Sequence, residues 1–97
     1  MSEQNNLNIK YTAEDIDRIF AERVTVHSRH AVLKPGVVCE WGFEYPNGKR
    51  TAQVESAFCI DPRNNDYTTG CAVCNEKIKN KLWEICGQYS LITGEKL

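Results

Sequence analysis

The chain has 97 residues and a net charge of −1; it has room for one small domain and lacks the basic excess of a double-stranded DNA binder. Hydrophobic residues make up 41% and charged residues 26%, the balance of a soluble globular protein, and no apolar run approaches the ~20 residues of a membrane span. Five cysteines, an odd number behind an N-terminus with no signal-peptide core, predict reduced thiols and a cytoplasmic setting rather than a disulfide framework.

Met1 to Tyr11 is polar and is expected to be flexible, leaving 12–97 as a single α+β domain. Thr12-Ala13-Glu14-Asp15 has the spacing of a capping box. Ile16, Ile19 and Phe20 follow at helical steps, which predicts a helix from Ala13 to Ala21 or Arg23. Val24 to Leu33 is rich in β-branched residues and reads as a strand. Lys34-Pro35-Gly36 signals a turn. Val37 to Tyr45 alternates: Val37, Cys39, Trp41 and Phe43 share one face, with Val38, Glu40 and Glu44 on the other, the pattern of a half-buried strand. Asn47-Gly48 reads as a type I′ hairpin turn. A third strand is expected over Arg50 to Ile60, closed by Asp61-Pro62 because proline cannot donate to a ladder.

Asp66 is the expected N-cap of a long helix. Tyr67, Cys71, Cys74, Ile78, Leu82 and Ile85 recur along one face, and Gly87 stands where a C′ glycine would stop the helix. Tyr89 to Ile92 would then pack back on the body. The architecture is a short helix, a three-strand antiparallel meander and a long C-terminal helix covering the sheet. A chain of this length buries only roughly 60–65% of its unfolded surface, so association with a second copy would help it.

Cys71-Ala72-Val73-Cys74 admits three readings. On a helix both sulfurs fall on the apolar stripe and act as small hydrophobes. A CxxC in a first helical turn can also carry a depressed thiol pKa, although redox motifs of this type follow a βαβ unit that this chain lacks. Zinc would need two further ligands. His27 and His30 are oddly spaced and leave a strand on opposite faces, with Cys39 and Cys59 as substitutes. No nucleophile with a paired base, glycine-rich phosphate loop or pair of carboxylates on one face emerges. A non-enzymatic binder without cofactor or metal is therefore expected.

The second half carries a recognisable pattern: Glu55-Ser56-Ala57, Asp61-Pro62, Asn64-Asn65-Asp66, Gly70, Asn80-Lys81-Leu82-Trp83-Glu84, and Gly87 near Tyr89, with the Asn47-Gly48 hairpin before it. Over residues 24–92 the chain resembles small phage proteins of the gene-49/gene-66 family. It departs from them in an apparent insertion at Phe58, in Asn65 where an aromatic is common, in Gln88 before the tyrosine and in Cys74 where a small residue is usual. Its architecture and helix motif are also similar to phage anti-defence proteins of the first Thoeris anti-defence type. That resemblance implies a homo-oligomer in the host cytoplasm that sequesters a cyclic ADP-ribose-like or cyclic oligonucleotide immune signal without turnover.

Such a ligand needs donors for phosphates, a flat face for a base and amides for polar edges. Arg63, Asn64 and Asn65 in the turn, Phe58 and Tyr67 beside it, and Lys77 and Lys81 on one helix face are the candidates, with Arg29 and His27 on the first strand. Each also has a plainer role: Lys77 and Lys81 as solvated charges, Tyr67 as core and the asparagines as turn formers. Two other functions fit the same residues. One is a phage protein that blocks a host protein by contact through Trp41, Trp83 and Tyr89. The other is a small zinc or thiol-redox module.

Overall fold

A capping box opens the chain's first helix. In the computed structural model, which describes residues 9–32, 35–58 and 66–97, the Thr12 amide donates to Asp15 Oδ2 at 2.9 Å and the Asp15 amide to Thr12 Oγ1 at 3.2 Å. The two side chains satisfy donors that a helix start leaves open. Helix α1 spans Ala13–Arg23, followed by strands β1 (Val24–His30), β2 (Gly36–Phe43) and β3 (Gln53–Phe58) and helix α2 (Tyr67–Thr93). The fold is α+β, as the sequence predicts, and the first half of the long helix packs on the sheet.

The chain forms two compact units, one joining the residues up to Glu22 with Lys79–Leu97, the other spanning Arg23–Ile78. In the first, Ile16, Ile19, Leu82, Cys86 and Ser90 are buried. Polar contacts tie down its ends. Tyr11 Oη and Ser90 Oγ share a hydrogen bond of 2.8 Å, and the Leu97 amide donates to Tyr11 Oη at 2.9 Å. Tyr11, at the end of the stretch expected to be flexible, is thus anchored; residues 1–8 lie outside the described residues.

In the second unit the antiparallel sheet has the order β1-β2-β3. Val37, Cys39, Trp41 and Phe43 are at most 2% exposed, so the alternation of β2 assigned its faces correctly. The first half of α2 lies on this face, with Cys74 Sγ 3.9 Å from the Val37 carbonyl. Gly70 permits the approach, because a Cβ there would overlap Val37 Cγ2 and stand 3.0 Å from Val37 Cβ. Glu55 is also buried on the core face of β3 and accepts from Trp41 Nε1 at 3.3 Å. A carboxylate in such a place needs donors, and the indole is one of them. This burial removes Trp41 from the candidate contact anchors.

The ends of elements differ from the sequence reading. β2 stops at Phe43 and β3 starts at Gln53 because the Thr51 hydroxyl takes the Phe43 amide at 3.4 Å and only an isolated Glu44–Arg50 bridge follows. β1 ends at His30; Leu33 and Lys34, and Cys59 to Pro62 beyond β3, lie outside the described residues. The hairpin is not type I′, which needs positive φ at both central residues. Only Gly48 has it, at 88°, and its amide closes the turn on the Tyr45 carbonyl at 2.9 Å. Pro46 and Asn47 therefore form a type I turn, with Gly48 as the left-handed residue of a G1 bulge.

Asp66 caps α2 as expected: its carboxylate accepts the Thr68 amide at 3.1 Å and the Thr69 hydroxyl at 2.7 Å. Gly87 does not end the helix. Tyr89 to Ile92 are helical rather than folded back, and the stop falls at Gly94, which has φ 73° and donates to the Ser90 carbonyl at 2.8 Å.

Candidate functional site

The sheet divides the predicted site residues. His27 and Arg29 face outward from β1, away from α2, opposite Glu40 and Val38 in the register. Arg29 Nη1 pairs with Glu40 Oε2 at 3.3 Å, both side chains more than half exposed. Phe58, 50% exposed, ends β3 opposite Gly36. Tyr67 opens α2 on the core side, its ring 4.6 Å from that of His30. Burial, followed by a hydrogen bond with Cys71, raises its phenol above the usual range. Lys77 Nζ donates to the Ser56 carbonyl of β3, an edge strand, so this cation caps an open sheet edge. Lys81 belongs to the other unit. Arg63, Asn64 and Asn65 lie outside the described residues.

The CxxC falls on the helix as the periodicity predicts. Cys74 is fully buried and Cys71 partly so. Burial, with Cys39 beside it, pushes the Cys74 thiol up to about 12, the opposite of an activated thiol. Cys39 Sγ shares a hydrogen bond with Ser28 Oγ at 3.1 Å. His27 and His30 do leave opposite faces of β1, since they pair with Glu40 and Val37. Among the described residues, no group of three or more His, Cys, Asp or Glu side chains is placed to hold a metal ion; Cys59 is outside them.

A groove of about 420 Å³ is formed by strands and hairpin of the Arg23–Ile78 unit. Its polar lining comes from Thr25 and His27 on β1, Glu40 on β2, and Arg50, Thr51 and Gln53 on and before β3. Gly42, Ala52 and Val54 contribute small or apolar surface. Gly42 lies so close to the segment before β3 that a Cβ would stand 2.7 Å from the Thr51 carbonyl oxygen.

Arg50 is held at both ends of its guanidinium, with Nε 3.6 Å from Glu44 Oε1 and Nη2 donating to Thr25 Oγ1 at 3.2 Å. The volume lies within the ~300–1,000 Å³ of small-molecule sites, and a few fixed polar groups over small apolar residues are what such sites use.

Of the predicted residues, the groove gathers His27 on its lining and Arg29 beside it, through Glu40. Sequence reasoning passed over Arg50 and Thr25. The signal for both was present: alternation puts Thr25, His27 and Arg29 on one face, and folding β2 on β3 about Gly48 sets Arg50 opposite Glu44. No protein-family model, curated protein sequence or solved structure matches this chain.

Proposed function

We propose that the chain is a phage anti-defence protein that binds a nucleotide-derived immune signal, cyclic ADP-ribose-like or a cyclic oligonucleotide, and withholds it without turnover in the host cytoplasm. The observation that carries the reading is the lining of the outer-face groove. Arg50, with His27 and the neighbouring Arg29, supplies donors suited to an anion. Thr25 and Thr51 match hydroxyl edges, and Glu40 accepts from amino or imino donors. The resemblance of residues 24–92 to small phage proteins points the same way. The other candidates serve as a sheet cap (Lys77), a ring contact (Tyr67) and a strand end (Phe58), so the groove is the better site.

The test is calorimetric titration of the purified chain with cyclic ADP-ribose isomers and cyclic di- and trinucleotides, followed by heating of the complex. Binding and release of the ligand intact is the expected result. Absence of heat with all of them removes the proposal, and release as a cleaved product makes the protein an enzyme.

A further inference from the structure

Resting on that reading of the groove, we infer that the Arg50 guanidinium is a stacking platform for the ligand's base. Arg50 starts from the β3 side of the hairpin, bridged to Glu44 of the middle strand's end. Its Nη2 nevertheless reaches Thr25 on β1, and Thr25 is the register partner of Gly42. The side chain therefore spans from the β3 side of the hairpin to β1.

Two anchors fix the plane of the guanidinium. Glu44 takes the Nε edge and Thr25 takes Nη2. Two of its five N–H groups meet these partners and 58% of the side chain is exposed, so the oriented flat face can be offered to a ring. A planar, weakly hydrated cation held in this way stacks on aromatic rings and on unstacked bases, which a lysine ammonium cannot do. Phosphate recognition would instead use the fork of N–H groups, part of which Glu44 and Thr25 occupy. Charge nearby is balanced, with Arg29 on Glu40 and Arg50 on Glu44, so the groove suits a ligand held by its base as much as by its charge.

The experiment compares the full chain with Arg50→Lys and Thr25→Val, with circular dichroism confirming the fold of each. The probes are cyclic ADP-ribose, cyclic di-AMP and cyclic di-GMP, with ribose 5-phosphate as the probe lacking a base. Loss of the planar cation in Arg50→Lys should weaken a base-bearing probe by about fivefold or more and abolish the fall in its ultraviolet absorbance on binding. Thr25→Val, which keeps the charge but frees one end of the guanidinium, should lose less. Ribose 5-phosphate should bind wild type and Arg50→Lys alike. If Arg50→Lys binds the base-bearing probes as wild type does, the stacking role is overturned while the nucleotide reading stands. Ribose 5-phosphate binding as tightly as the base-bearing probes also overturns it. Failure of wild type to bind any of the four removes both.

Discussion

Two glycines of α2 make opposite predictions for the same substitution. Alanine is the better helix former by ~1 kcal/mol at an interior position, so on propensity alone Gly70→Ala and Gly87→Ala should both stabilise. Nothing lies within 4 Å of a Cβ built at Gly87, and Gly87→Ala should realise most of that gain. At Gly70 the added methyl would overlap Val37 Cγ2 and stand 3.0 Å from Val37 Cβ. Val37 is fully buried and β-branched, so its stiff χ1 offers little escape. Overpacking of a core typically costs ~1–3 kcal/mol, which cancels or outweighs the propensity gain. Gly70→Ala should therefore be neutral to destabilising by about 2 kcal/mol.

The gap between the two variants, ~1–3 kcal/mol, measures the clash. Urea unfolding followed by circular dichroism resolves it, and in a chain of this size each kcal/mol also moves Tm by roughly 4–8 °C. In the Gly70→Ala/Val37→Ala double variant the clash is gone, so its loss should fall short of the sum of the two single losses by ~0.5–3 kcal/mol. If Gly70→Ala raises the midpoint as much as Gly87→Ala does, the helix does not lie on Val37 and the packing argument is wrong.

The Asp15 carboxyl, held by the Thr12 amide and by Lys96, falls from the usual 3.8 to about 2. Because the folded value is depressed, its stabilising effect is fully present above 3.8 and lost as pH falls from there through about 2. Carbon-detected titration of Asp15 should show the low midpoint, and an ordinary one would mean the cap is open in solution. Burial pushes the Cys74 and Cys86 thiols up to about 12 and about 11. Both should resist alkylation at pH 8 until denaturant is added, as mapped by mass spectrometry; rapid labelling of native Cys74 would place it outside the core.

The elements themselves were legible because they depend on local chemistry. The Thr12–Asp15 box, the Asp66 cap, the alternation along β2 and the apolar stripe of α2 are patterns over a few residues, and period and capping chemistry suffice to read them. The errors fell where two local rules competed. Asn47-Gly48 fits a type I′ turn, but Pro46 before it favours a type I turn with the glycine following. Gly87 looks like a helix stop, yet interior glycine costs only ~1 kcal/mol, and the helix continues until Gly94 adopts the left-handed conformation.

Sequence alone determined the α+β class, the order of elements and the burial of Cys74, since each follows from which side chains share a face. Tertiary structure decided what the candidates do. It gave Lys77 to the Ser56 carbonyl, set the Tyr67 ring at a tilt against His30, buried Glu55 against Trp41 and drew Arg50 across to Thr25. Those partners stand 14 to 37 positions apart in the chain. Local periodicity says which face a side chain occupies; only strand register and helix placement decide what it meets there.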